Sequence, residues 1–131
     1  MSIEKAEMYR ASLRKALADD GIVGDAAILS ETRKAISDQS VDRWPNLVAF
    51  HAVTLLLFGD RSNLGRLLTT IVGHPEVLRE KPYSAFHGAL KAVLPLPLEL
   101  PDEPRAIERW CLEHMSALHW DPQGGTYLVN A

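Results

Sequence analysis

Residues 46–71, NLVAFHAVTLLLFGDRSNLGRLLTTI, constrain the fold more than any other part of the chain. As far as Phe58 the apolar residues cover the whole helical circumference, which predicts a helix buried on every side. Gly59 supplies the left-handed conformation that ends such a helix, and Asp60 or Ser62 can cap the next one. From Leu64 the apolar positions narrow to one stripe, Leu64, Leu67, Leu68 and Ile71. The spacing therefore predicts a central helix over 45–58 and an amphipathic helix over 63–72. Their connection is short, so they should pack antiparallel. Pro45 suits the first turn, where its missing N–H loses no partner.

The flanks read as further helices around this centre. Ser2 can cap a helix over 3–18 whose inner face carries Ala6, Tyr9, Leu13, Ala16 and Leu17. Asp25 can cap one over 26–38, with Ile28, Leu29, Thr32, Ala35 and Ile36 inward. His74-Pro75-Glu76 starts a single turn ending before Pro82, and a helix over 83–94 buries Phe86, Leu90, Val93 and Leu94. Residues 95–104, PLPLELPDEP, hold four prolines and predict a stiff, extended strap with its leucines tucked onto the helices. Asp102 caps a sixth helix over 104–117, with Ile107, Trp110, Cys111, His114, Met115 and Leu118 on one side. Residues 118–129 read as a β-hairpin: Asp121-Pro122 and Gly124-Gly125 give turn chemistry between Trp120, Thr126, Tyr127 and Val129. The expected fold class is mainly α, one domain over 1–131 built as a compact bundle of about six helices with a short C-terminal hairpin.

Composition sets the function classes. A chain of 131 residues suits one domain, and 47% apolar with 24% charged residues matches a soluble globular protein. The net charge is −3 and the cations are scattered, which disfavours nucleic-acid binding by charge alone. Cys111 is the single cysteine, so no disulfide forms within the chain, and it reads as a small core residue in a reducing compartment. The N-terminus lacks an apolar signal core. The longest apolar run, 47–58, falls far short of the ~20 residues that span a bilayer. The expected location is the host cytosol.

No pattern of reactive residues stands out. His114 and His119 are five apart, whereas a zinc helix needs two histidines four apart with a glutamate between. The nucleophile-elbow and phosphate-loop motifs are absent. His51 sits inside the central helix and reads either as a hydrogen-bonded core histidine or as one that faces His87 or Asp60 across a helix pair. No metal or cofactor is expected. Trp44, Trp120 and Tyr127 lie near element ends, where aromatic side chains serve either as core caps or as interface hot spots. Trp120 and Tyr127, paired across the hairpin, would present an outer aromatic face beside Asp121. The expected protein-binding residues are thus Trp120, Asp121, Tyr127 and Trp44.

A buried helix carrying His51, then Gly59-Asp60, then Leu64 and Leu67-Leu68, an amphipathic helix, and a late Trp120-Asp121 before an aromatic residue resembles small helical accessory proteins of tailed bacteriophages. The resemblance covers residues 47–128; the proline-rich strap and the lack of a long acidic tail depart from it. It implies a phage or mobile-element context, in which proteins of this size often bind and block a host protein. Inhibitors of CRISPR interference are similar in size, acidity and lack of catalytic motifs. The leading expectation is a non-enzymatic protein-binding module that inhibits a host complex such as a CRISPR effector. The alternative is a small nucleic-acid-associated regulator, which requires Arg61, Arg66, Arg79 and Lys81 to form a basic patch. An enzyme using His51 ranks last.

Overall fold

The computed structural model describes residues 2–78 and 85–129, apart from the side chains of Ser2 and Ala85. Its elements are α1 (Ser2–Asp19), α2 (Asp25–Ser37), α3 (Pro45–Leu57), α4 (Leu64–Gly73), α5 (Ala85–Val93) and α6 (Pro104–His114), then β1 (Leu118–Asp121) and β2 (Thr126–Val129). Single 3₁₀ turns cover Pro75–Leu78 and Met115–Ala117. The fold is mainly α, six helices followed by a two-stranded antiparallel hairpin. The Ser2 side-chain cap, the helix start at 83, and Arg79 and Lys81 lie outside the described residues.

Helix α3 is the centre, as its all-round apolarity requires. Residues 52–57 are buried without interruption, and Val48 and Ala49 extend the buried surface towards the N-terminus. It contacts α1, α2, α4 and α5. One cluster of buried apolar side chains runs from Ala6 in α1 to Tyr127 in β2. Gly59 follows α3 at φ +96°, the region that favours glycine, and the Trp120 ring lies against it. A Cβ at this position would stand 3.0 Å from the indole, so glycine serves both the turn and the packing.

Several helix starts differ from the sequence expectation. Gly24, not Asp25, is the N-cap of α2, and Asp25 is the first helical residue, engaged by Arg14. Asn63 occupies the N-cap of α4 without a side-chain bond, while Asp60 accepts the Ser62 N–H inside the turn. Glu103 takes the N-cap of α6, one residue after Asp102. Asp102 instead meets Lys91 of α5 at 2.8 Å. Each of these carboxylates is engaged by a cation from another element, Asp25 by Arg14, Asp60 by Arg33 and Asp102 by Lys91, and Asp60 also takes the Ser62 N–H. The strap meets the expectation in part: Leu96 and Leu100 pack against the core, but Leu98 is fully exposed and a turn over 97–100 interrupts the extended run.

Leu55→Ala tests the placement of α3. Leu55 has no exposed surface, so the change should cost about 2–5 kcal/mol in chemical denaturation. A variant with an unaltered midpoint would remove α3 from the centre.

Candidate functional site: a hairpin cleft and an exposed helix start

The hairpin register pairs Trp120 with Tyr127, with the rings edge to face at 5.0 Å. The pair faces inward, not outward. Side chains alternate along a strand and cross-strand partners share a face. Burying Leu118 therefore carries Trp120 and Tyr127 to the same side, and the outward pair is His119 with Leu128. Tyr127 is 2% exposed, and its hydroxyl has no hydrogen-bond partner among the described residues. Burial, reinforced by the Asp60 charge, pushes the phenol pKa up. The outer aromatic face expected for Trp120 and Tyr127 is thus replaced by an inner one. Trp120 is half-buried and keeps an edge in a cleft, while half-buried Asp121 is turned into the loop, accepting the Gln123 N–H.

That cleft, of about 400 Å³, is lined by α1, the start of α2, the end of α3 and the hairpin loop. Its floor is Arg10, only 5% exposed. One guanidinium nitrogen, Nη1, donates to the Leu57 carbonyl at 2.9 Å and the Gly125 carbonyl at 2.7 Å, and Nε donates to Glu7 at 2.9 Å. Gly125 sits at φ +66°, and a Cβ there would collide with the same guanidinium. Arg14 forms the outer layer. It grips both Asp25 carboxylate oxygens, at 2.9 and 3.1 Å, and Glu7 at 2.6 Å. Its guanidinium also lies 5.4 Å from the centre of the Phe58 ring. Hydrogen bonds from Arg10 and then Arg14 lower the Glu7 pKa, and Arg14 lowers that of Asp25. Two arginines face two carboxylates, so the lining is close to neutral, and all three nitrogens of Arg14 already donate. The arrangement acts as a clasp joining chain segments.

A second concavity lies on the opposite flank of α1. It is an apolar groove of about 410 Å³ whose floor is Phe50, Val53, Thr54 and Leu57 of α3. Tyr9, Leu13 and Ala16 of α1 and Phe86 of α5 form its walls. Thr54 donates its hydroxyl to the Phe50 carbonyl at 2.8 Å, leaving the floor non-polar in effect. Leu47, Phe50 and Thr54 share one face of α3 at helical spacing. The groove therefore leads towards the exposed start of that helix, where Trp44 is 49% and Leu47 41% exposed. Arg43 places its guanidinium 5.6 Å from the centre of the Trp44 ring. Trp44 and Trp120 stand at opposite ends of α3, about 20 Å apart for a helix of this length. The four expected binding residues therefore do not form one patch.

Other expectations settle as follows. His51 meets neither His87 nor Asp60; its Nδ1 pairs with Gln39 Oε1 at 2.8 Å, and burial lowers its pKa. Cys111 is buried in the core, its thiol pushed up to about 12 by burial. Arg61 donates to the Met115 and Leu118 carbonyls, and Arg66 to those of Ile36 and Gln39. Among the described residues no group of three His, Cys, Asp or Glu could hold a metal ion, and no helix is long and apolar enough to cross a membrane. No family model, curated protein or solved structure matches the chain. Sequence reasoning missed Arg10, because helical spacing alone does not distinguish a buried cation from a wet one.

Two measurements check the clasp. Arg10→Met should cost about 1–3 kcal/mol, since it leaves the Leu57 and Gly125 carbonyls without their side-chain donor while Glu7 keeps Arg14; Arg10→Lys should recover only part, because an ammonium lacks the planar fork. The folded-state carboxyl pKa values of Glu7 and Asp25 lie below their ordinary 4.5 and 3.8. Their contribution is full above that range, and it falls away with acid as the unfolded chain takes up protons first. Glu7→Gln with Asp25→Asn should flatten the acid limb of the thermal midpoint against pH. An unchanged limb would exclude the clasp as its source.

Proposed function

We propose that this protein is a non-enzymatic protein-binding module whose contact surface starts at Trp44 and Leu47 and runs along α3 into the apolar groove. The observation that carries this reading is the exposure of a tryptophan with a stacked arginine at a position where the fold makes little use of either. Trp44 serves as the N-cap of α3 through its backbone carbonyl, which accepts the Val48 N–H at 3.0 Å, while its indole stays half-exposed. Tryptophan and arginine are the side chains that most often dominate binding energy at interfaces. The groove beside them would take aliphatic or aromatic side chains of the partner, with no buried charge to neutralise.

The resemblance in residues 47–128 supplies a partner class, a host complex blocked by a phage or mobile-element protein, with a CRISPR effector as one such target. The rival basic-patch reading has less support. The described members of that patch, Arg61 and Arg66, already bond backbone carbonyls, so a phosphate would compete with the fold for them.

The experiment is capture of the partner from host lysate on the immobilised protein, followed by affinity measurements with the purified partner. Trp44→Ala should leave the thermal midpoint nearly unchanged and weaken binding by about 2 kcal/mol or more, roughly thirtyfold. Ala16→Trp, which fills the groove from its α1 wall, should weaken the same partner. If both variants bind as the wild type does, this surface is not the interface.

A further inference from the structure

The proline-rich strap holds a side chain that neither the core nor the α3 surface uses. Leu98 is fully exposed, at 104% of its reference area. A lone exposed leucine is ordinary on a protein surface; its mounting sets this one apart. Leu98 and Glu99 are the central residues of a β-turn closed by the Leu100 N–H on the Pro97 carbonyl at 3.1 Å. Leu96 and Leu100, on either side, are packed against the core. Pro95, Pro97, Pro101 and Pro104 fix the backbone around the turn. At its far end Asp102 meets Lys91 at 2.8 Å, an exposed ion pair between the strap and α5. A turn clamped at both ends has little conformational freedom left to lose on binding.

We infer that the Pro97–Leu100 turn is a preorganised docking element that inserts Leu98 into an apolar pocket with a basic rim on a partner protein. The rim follows from charge. Glu99 and Glu103 are exposed and have no ion-pair partner among the described residues. A leucine followed by two exposed carboxylates, Glu99 and Glu103, fits a pocket edged by Lys or Arg, and an acidic pocket repels it. Proline-directed recognition, which reads an extended run of prolines, fits less well: here a turn interrupts the strap and points leucine, not proline, at solvent. The inference goes beyond the α3 surface, and its test leaves Trp44 unaltered, so the two readings fail separately.

The test uses the full chain with the photo-crosslinking residue p-benzoylphenylalanine in place of Leu98, which keeps an apolar side chain at the tip. The same residue in place of Val23, exposed and remote in sequence, is the control. Irradiation in a lysate of cells that carry the gene should give an adduct from position 98 and none of that mass from position 23. Excess wild-type protein should chase it. The same excess of Leu98→Ser, checked to have the wild-type thermal midpoint, should chase it at least tenfold less well, and so should Glu99→Lys with Glu103→Lys. No adduct above the control overturns the proposal, as does equal chasing by Leu98→Ser. Equal chasing by the double lysine variant overturns the basic rim.

Discussion

The Arg10 guanidinium, buried 5% exposed between the first helix and the last loop, is the contact on which the closure of this molecule depends. Helix α3 ends inside the protein, and its last carbonyls lack intrahelical donors. Arg10 donates to one of them, at Leu57, and from the same nitrogen to Gly125 in the hairpin loop. It thereby joins residues separated by most of the chain length. A two-stranded hairpin is marginal by itself; here it is held by this clasp and by the Trp120–Tyr127 pair seated on the core. Gly125 belongs to the same device, because its missing side chain lets the guanidinium reach the carbonyl.

Two other arginines repeat the arrangement. Arg66 reaches from α4 to the Ile36 and Gln39 carbonyls where α2 ends, and Arg61 reaches from the α3–α4 turn to the Met115 and Leu118 carbonyls between α6 and β1. In each case a cation answers both the unpaired carbonyls and the negative end of the helix dipole. The consequence for function is electrostatic. These charges are directed at backbone oxygens, and Arg14, Arg33, Lys34 and Lys91 are paired with carboxylates. Lys5, Lys15, Arg43, Arg105 and Arg109 are exposed without an ion pair among the described residues, spread over α1, the turn before α3 and α6.

The apolar pattern made the helices legible. The run from Val48 to Leu57 reads as a buried helix, Gly59 as its end, and the turn residues after Trp120 as a hairpin; the register came from the structure. Direction was harder to read. Strand alternation says that Trp120 and Tyr127 share a face but leaves open which face meets the core; Leu118 decides it, and the first strand residue is hard to identify without the end of α6. The helix caps failed because a carboxylate near a helix start has rival partners, and Arg14, Arg33 and Lys91 come from elsewhere in the chain. Arg10 was illegible for the same reason. Its partners are backbone carbonyls, which no sequence pattern marks.

The exposed groups proposed for binding share one property with the clasp: each stands on a rigid mount. Trp44 caps a helix that is buried almost throughout, and Leu98 tips a turn fixed by prolines and by leucines rooted in the core. Flexible side chains on flexible loops lose more freedom when they bind, and that loss offsets the apolar area they bury. A module of this size has few residues to devote to a partner, so affinity must come from a small number of well-held anchors. The fold supplies them by anchoring neighbours: half-buried Leu96 and Leu100 pack against the core on either side of exposed Leu98, and buried Val48 and Ala49 hold the helix start that displays Trp44 and Leu47. For the binding role proposed, a substitution at those inward neighbours acts without touching the partner, by loosening the mount.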